Sequence, residues 1–250
     1  MNWKTKLGLI LIIASAILYA FAYVGFHEPD RVLFYIVIDL AFIPLDILIV
    51  VLVIESIIDK KEKEVIFEKL DMILGVFYSE LGNDLLESFS RINEHNTKIT
   101  DALANIDSWE NKDFEKAYKY IESNGITFKP KIPENEKKDF IINLKTLLHS
   151  NRNFLINLIE NPNLLEKDSF SGLILAIFHL QDELEHRTDL NQVSKNDFEH
   201  LLGDINRVYC KLTYQWIMYL QYLNKHYPYM SSIVLRTNPF NPKAKIYIDD

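Results

Sequence analysis

Two long apolar runs occupy the first 58 positions, and beyond residue 59 apolar and polar residues are mixed at helical spacing. Residues 7–26 contain no charged side chain, and residues 32–54 contain only Asp39 and Asp46. A helix of about 20 apolar residues can cross the hydrocarbon layer of a bilayer. The pattern therefore predicts an all-α protein: an N-terminal two-helix transmembrane hairpin in residues 1–58, with spans at about 7–26 and 32–54, and a cytosolic helical bundle in residues 59–250 whose first helix continues from the second span.

The first apolar run has two interpretations. Ala20-Phe21-Ala22 has the small-x-small form of a signal-peptide cleavage site. However, the apolar run continues past Ala22, and the second run follows after a short polar turn at residues 27–31. We therefore favour an uncleaved span over a cleaved leader.

The basic residues near the apolar runs predict the orientation in the membrane. Two precede the first run, one lies in the turn and three directly follow the second run: Lys4, Lys6, Arg31, Lys60, Lys61 and Lys63. Short cytoplasmic segments are enriched in Lys and Arg. The expected topology is a multi-pass protein of the cell (inner or plasma) membrane, with its N-terminus and its C-terminal domain in the cytoplasm.

Polar residues within the second run form a possible intramembrane site. Asp39 and Asp46 are seven residues apart and share one helix face, and Pro44 between them leaves a backbone carbonyl without its helical donor. In an antiparallel hairpin, Asp39 comes level with Tyr19. These groups could form an ion or proton site or a contact between protomers, or they could be hydrogen-bonded groups that serve helix packing.

The remaining sequence predicts a series of helices. Apolar residues at three- and four-residue steps from 66 to 106 indicate one long helix or two nearly collinear ones, with a possible break at Gly82-Asn83. Further helices are predicted at 113–123, 134–150, 152–160, 168–187 and 195–226, followed by an irregular tail from about residue 229. Ser194 is expected to cap the last of these helices and Tyr227-Pro228 to end it.

Composition narrows the possible functions. With only 7 Gly and 8 Pro in 250 residues, a loop-rich or all-β fold is disfavoured, and a net charge of −8 disfavours nucleic-acid binding. The single Cys210 excludes an internal disulfide. The sequence has neither a glycine-rich phosphate loop nor a Gly-x-Ser-x-Gly motif. No catalytic or cofactor-binding residue is predicted, and the balance favours a protein that is not an enzyme.

Four residues on two consecutive predicted helices could bind a metal ion. His179 and Glu183 are four residues apart, as are His200 and Asp204, so each pair projects from one side of its helix. If the helices are antiparallel, Glu183 comes level with His200 and His179 with Asp204. Two imidazoles and two carboxylates suit zinc or iron. The alternative is that they form interhelical hydrogen-bonded pairs or solvated faces, with no cofactor.

Several phrases of this chain occur together in a known family. They are IDLAFIPLDILIVVLVIESII, EKLDMILGVFYSELG, FLINLIENPNLLE, AIFHLQDELEHR, HLLGDINRVY and YPYMSSIVLRTNPF. The chain resembles a family of uncharacterised prokaryotic (bacterial and archaeal) membrane proteins with two N-terminal spans and a helical cytosolic domain. The resemblance implies this topology and a one-piece architecture, but no catalytic residue.

Three functional hypotheses follow. The first is a membrane-anchored interaction, scaffolding or signalling module on the cytoplasmic face, with the lipid membrane and a homo-oligomer or cytosolic protein as partners. The second is a membrane-tethered metalloprotein or hydrolase that uses His179, Glu183, His200 and Asp204. The third is a small oligomeric ion or proton channel built on Asp39 and Asp46.

Overall fold

The regular secondary structure of this chain is helical. The computed structural model describes residues 3–26, 29–94, 98–190 and 193–247, and the helices among them confirm the all-α prediction. They divide into two compact units, Met1–Lys63 and Glu64–Asp250. The predicted turn at residues 27–31 and the predicted loop near Asn191 both include positions outside the described residues.

The first unit contains helix α1 (Trp3–Phe26) and the first part of helix α2 (Pro29–Phe77), which continues through Pro44. The hydroxyl of Tyr19 donates a 2.7 Å hydrogen bond to the carboxylate of Asp39. This is the pair that the antiparallel register places side by side.

Within residues 33–92, one helix is long and apolar enough to cross a membrane, as judged by length and composition. None of its most apolar window is buried inside the protein. The described apolar part of α1, Ile12–Gly25, is shorter than a full span. Of the two predicted spans, the second alone meets this criterion within the part of the chain that the structure describes.

The second unit begins within α2 and contains eight further α-helices among the described residues. In chain order these are α3 (Asn83–Ile92), α4 (Lys98–Ala104), α5 (Asn111–Asn124), α6 (Lys137–Ser150), α7 (Arg152–Ile159), α8 (Asp168–Glu185), α9 (Lys195–His226) and α10 (Pro228–Arg236). A π-helical turn, Tyr78–Gly82, joins α2 to α3. Short 3₁₀ segments lie at Ile106–Ser108 and Pro162–Glu166.

Two predictions about these helices are wrong. The long helix expected to reach residue 106 ends at Ile92, where Asn93 leaves the helical conformation and forms a bridge with Pro130. The tail expected to be irregular from residue 229 contains α10, because Pro228, which ends α9, occupies the first turn of a new helix.

Helices α8 and α9 form the centre of the second unit. Leu173, Ile174, Ile177 and Leu180 of α8 are fully buried, and α9 contributes a buried stripe that includes Trp216. Burial of one broad side of α8 fixes its rotation. The polar residues towards its C-terminal end are therefore held in a defined position against α9.

Candidate functional site

The candidate site lies between the C-terminal half of α8 and the N-terminal half of α9. His179 contacts Asp204, Glu183 contacts His200, and Arg187 contacts Asp197. Successively later residues in and just after α8 contact successively earlier residues of α9, so the two helices are antiparallel. Ser194 caps α9 by accepting a hydrogen bond from the backbone N–H of Asp197.

Three of the four predicted residues converge, and the fourth, His179, lies beside one of them, Asp204. His179 Nε2 lies 3.6 Å from Asp204 Oδ2, and His200 Nε2 lies 3.7 Å from both Asp204 Oδ2 and Glu183 Oε2. Glu183, His200 and Asp204 each offer a potential ligand atom within 4.8 Å of the other two. His179 contacts this trio through Asp204. The structure therefore brings together the residues that the helical spacing pairs.

Asp204 is the buried member of the cluster. Its side chain is 4% exposed, whereas those of His179 and His200 are 49% and 58% exposed. Its Oδ1 accepts a 2.8 Å hydrogen bond from Arg207, but no described residue donates a hydrogen bond to its Oδ2. A buried carboxylate oxygen that accepts no hydrogen bond is unfavourable. Asp204 Oδ2 faces the imidazoles, so this is where a ligand would relieve that cost.

Arg187 is a part of the site that sequence reasoning missed. It donates two hydrogen bonds to Asp197, at 2.7 and 3.0 Å, and one to Glu183 Oε2 at 2.8 Å. These bonds are the main reason that the pKa values of both carboxyls lie below their ordinary range. Glu183 is thus ionised at neutral pH. The four-residue spacing of Glu183 and Arg187 was an available signal for half of this network.

Other polar candidates lie outside the cluster. The Nδ1 of His186 is 2.7 Å from the backbone carbonyl of Asp182, so the Glu183-x-x-His186 spacing, typical of di-iron bundles, does not bring this ring into the site. Cys210 is half-buried and its thiol lies against the carbonyl of Ile126; burial raises the pKa of this thiol. Such a thiol is a poor nucleophile at neutral pH.

The distances within the cluster suit a metal ion better than direct hydrogen bonds. Separations of 3.6 and 3.7 Å between nitrogen and oxygen exceed the usual hydrogen-bond range. Two ligand atoms bound tetrahedrally at about 2.1 Å from one Zn²⁺ are about 3.4 Å apart. The observed spacing is close to that value. The arrangement can therefore hold a cation with small side-chain movements, and the exposed imidazoles leave it open to solvent.

Together, the fold and the cluster define a class: an all-helical protein with an apolar N-terminal unit and a His–carboxylate site between two antiparallel helices. A family model described as "MJ1433, N-terminal helical domain" matches residues 1–58, and one described as "Uncharacterized protein MJ1433, C-terminal helical domain" matches residues 66–236. The chain belongs to this MJ1433 family.

One relative is "Uncharacterized protein MJ1433" of Methanocaldococcus jannaschii, which is 40% identical over 244 residues. The match covers 98% of this chain and 96% of the relative. No solved structure is significantly similar to this chain. The comparisons confirm a helical family with an archaeal member, as the resemblance implies.

Proposed function

We propose that this protein is a membrane-anchored helical protein that binds a divalent transition-metal ion on the cytoplasmic face. The anchor is the apolar first unit, and the metal site is the cluster of His179, Glu183, His200 and Asp204. The observation that carries the proposal is the buried Asp204 Oδ2, which no described residue hydrogen-bonds and which lies within 3.7 Å of two imidazole nitrogens.

The exposure of α2 supports the anchor. From Leu40 to Ile58, its large apolar side chains are between 47% and 63% exposed. So much contiguous apolar surface is unfavourable in water and favourable in lipid. Lys60, Lys61 and Lys63 follow directly, which favours a cytoplasmic location for the residues beyond them. In this proposal α1 is also inserted in the membrane, alongside the apolar part of α2, so the protein is multi-pass.

The hydrogen bond between Tyr19 and Asp39 favours a packing role for the polar residues of this hairpin. A carboxylate in lipid needs a partner, a proton or water, and Tyr19 supplies a donor from the neighbouring helix. This is the arrangement of a stabilising interhelical contact. We therefore favour anchoring over ion conduction, and binding at the cytoplasmic cluster over transport.

The chemistry of the cluster supports a metal ligand set of two imidazoles and two carboxylates. Glu183 is ionised, and neutral imidazoles carry the lone pairs that zinc and iron require. Arg207 donates a hydrogen bond to Asp204 Oδ1, and Arg187 donates one to Glu183 Oε2. Neither bond uses Asp204 Oδ2, so that oxygen is left for a metal ion. Three carboxylates (Glu183, Asp197, Asp204) and two guanidiniums (Arg187, Arg207) meet at the cluster, so its acidic groups outnumber its guanidiniums, which favours a cation.

The anchor is tested in cells that express the full chain with a C-terminal tag. The protein should remain in the membrane fraction after alkaline carbonate extraction. Protease added outside intact spheroplasts should leave the tag intact, whereas protease added after permeabilisation should remove it. Recovery of the protein in the soluble fraction, or loss of the tag before permeabilisation, would overturn the anchor or its orientation.

The metal site is tested by titrating the purified full chain, in detergent, with Zn²⁺ in a calorimeter. We expect one Zn²⁺ per chain, and at least tenfold weaker binding for Asp204→Asn and for His200→Gln. His186→Gln is the matched control, because this residue directly follows α8 and its ring lies against the backbone carbonyl of Asp182 rather than in the cluster. No stoichiometric binding, or equal loss in the control, would overturn the proposal.

A further inference from the structure

A groove of the second unit lies between α3 and the segment that follows α10. Its α3 side carries Glu87 and, one helical turn later, Ser90 and Arg91, and its other side is formed by residues of the 236–246 segment. Its volume is about 500 Å³, within the range of about 300–1,000 Å³ that is usual for small-molecule sites. We call it the α3 groove. None of the four residues of the proposed metal cluster lines it.

The segment opposite α3 is held in place by its own contacts. The side chain of Asn238 donates a 2.8 Å hydrogen bond to a backbone carbonyl of α4 and accepts one of 2.9 Å from the backbone N–H of Phe240. Phe240 is buried, and its ring centroid lies 5.2 Å from that of Trp216. Arg236 donates a 2.7 Å hydrogen bond to the backbone carbonyl of Ile246, which ties the ends of the segment together. A wall that is already ordered lowers the cost of binding a ligand.

The α3 groove is basic, although the protein is acidic. The 236–246 segment contains Arg236, Lys243 and Lys245 but no carboxylate, in a chain whose net charge is −8. On the α3 side, the charges of Glu87 and Arg91 balance each other. A local basic surface in an acidic protein points to an anionic ligand.

Both guanidiniums that line the groove keep N–H donors for a ligand. Within the described part of the chain, Arg91 hydrogen-bonds Glu87 alone, and its side chain is 74% exposed. Exposed ion pairs contribute little, so an anion can compete with Glu87 for Arg91. Arg236 donates to the backbone carbonyls of Ser232 and Ile246, but to no carboxylate among the described residues. Because a guanidinium has five N–H donors, each of the two can also bind an anion.

Ser90 adds a hydroxyl to these donors. The residue is 4% exposed. Its Oγ lies near the hydroxyl of Tyr209 but outside the usual hydrogen-bond geometry, and it has no hydrogen-bond partner among the residues that the structure describes. Buried polar groups normally have a partner, and an exception calls for an explanation. A ligand oxygen in the groove would supply the acceptor that this hydroxyl lacks.

These groups suit a phosphate monoester better than a carboxylate. A phosphate monoester carries a charge of about −1.5 to −2 at neutral pH and has three acceptor oxygens, which two guanidiniums and a hydroxyl can match. A carboxylate has a single charge and two oxygens. The groove is also lined by Pro239, Phe240 and Ile246, which suit a small apolar group attached to the phosphate.

We propose that the α3 groove binds a small organic phosphate monoester, with the phosphate between Arg91, Arg236 and Ser90 and the organic group against Pro239. Binding displaces the carboxylate of Glu87 from Arg91. This inference depends neither on the proposed metal site nor on the proposed membrane anchor, because the groove lies within the second unit and shares no residue with either.

The test titrates the purified full chain with phenyl phosphate in a calorimeter, at pH 7.5 and constant ionic strength, in dodecyl maltoside with EDTA. We expect one site per chain and at least tenfold weaker binding of benzoate. Arg91→Gln and Arg236→Lys should each weaken the binding of phenyl phosphate at least fivefold, and Ser90→Ala at least twofold. Arg152→Gln is the matched control, since its guanidinium also pairs with a carboxylate at the surface, that of Asp182.

Glu87→Gln gives a result that a folding defect cannot imitate. It removes the carboxylate that competes with the ligand for Arg91, so binding of phenyl phosphate should become at least twofold tighter. Asp182→Asn, which frees Arg152 in the same way, should leave the binding unchanged.

Several results would overturn the inference. These are no saturable binding, equal binding of benzoate, or a loss in Arg152→Gln as large as that in Arg91→Gln. If Arg236→Lys loses binding while Arg91→Gln and Ser90→Ala retain it, the loss comes from release of the segment, and the site is not the α3 groove. The zinc titration and the membrane assays do not involve this groove, so its failure would leave the proposed function standing.

Discussion

The hydroxyl of Tyr78 donates a 2.7 Å hydrogen bond to the backbone carbonyl of Leu212, although 134 residues separate them. Tyr78 is fully buried, begins the π-helical turn and stacks on Tyr219 with ring centroids 5.3 Å apart. A wide helical turn is costly on its own and persists where packing determines it. Contacts with α9 therefore hold the π turn.

Gly82→Ala tests how tightly the π turn is packed. A Cβ on Gly82 would lie 2.6 Å from the ring of Tyr78 and 2.9 Å from that of Phe77. Overpacking of this kind destabilises a core by about 1–3 kcal/mol. Denaturant unfolding of the full chain in detergent, followed by circular dichroism, should show this loss in the free energy of unfolding.

Gly203→Ala is the matched control for Gly82→Ala. It also lies within a helix, but a Cβ there would have no neighbour within 4 Å. The greater helix propensity of Ala should stabilise this variant by about 0.5–1 kcal/mol. Equal effects of the two substitutions would show that the π turn is not tightly packed.

Arg187→Gln tests the ion-pair network at the cluster. Hydrogen bonds to charged groups contribute about 1.5–3 kcal/mol, so at pH 7 we expect a loss of about that size. The exposed pair of Arg91 and Glu87 provides a control: Arg91→Gln should cost less than about 0.5 kcal/mol. A similarly small effect for Arg187→Gln would contradict the assignment.

The same network predicts a direction of pH dependence. Arg187 lowers the pKa values of Glu183 and Asp197 in the folded state. A lowered carboxyl pKa contributes stability that is fully present above the unfolded-state pKa of about 4 and is lost as pH falls through the folded-state value. The difference between wild type and Arg187→Gln should therefore be constant from pH 5 to 7 and shrink below pH 4.

Local signals in the sequence were sufficient for some helices. Ser194 marks the start of α9 and Tyr227-Pro228 marks its end, and the predicted range of 195–226 agrees with the structure. The sequence did not reveal the π turn, because it depends on where Tyr78 packs on a distant helix. It also did not reveal α10, because a proline that ends one helix can equally begin the next.

Part of the candidate site could also be predicted from the sequence. Helical spacing and an antiparallel register place His179 beside Asp204 and Glu183 beside His200, and both contacts are present. The contact of Arg187 with Asp197 depends on how the chain returns between α8 and α9, which spacing alone does not determine. The burial of Asp204 depends on the packing of the whole unit.

The hydrogen bond between Tyr19 and Asp39 should stabilise the first unit. Tyr19→Phe removes the donor, whereas Asp39→Asn retains an acceptor. Interhelical hydrogen bonds in membranes contribute about 0.6 kcal/mol on average, so we expect Tyr19→Phe to lose about that amount of stability in SDS-titration unfolding. Tyr23→Phe, at an exposed position on the same helix, should have no effect. Equal losses at the two positions would contradict the contact.

Zinc should raise the melting temperature of the protein through Asp204. A ligand at a hundred times its dissociation constant adds about 2.7 kcal/mol of stability, which is about 5–10 °C for a unit of this size. Asp204→Asn should abolish this shift. Without metal the same variant should cost less than about 1.5 kcal/mol, because Asn keeps an oxygen for the hydrogen bond from Arg207 and removes only an oxygen that no described residue hydrogen-bonds.

The zinc-induced shift should also depend on pH and on chelator. Protons compete with a metal ion for its ligands, so the shift should weaken as the pH is lowered. Excess EDTA should reverse it at pH 7.5. A shift that survives Asp204→Asn would place the bound zinc elsewhere on the protein. A strong destabilisation by Asp204→Asn without metal would instead assign Asp204 to the structural contact with Arg207.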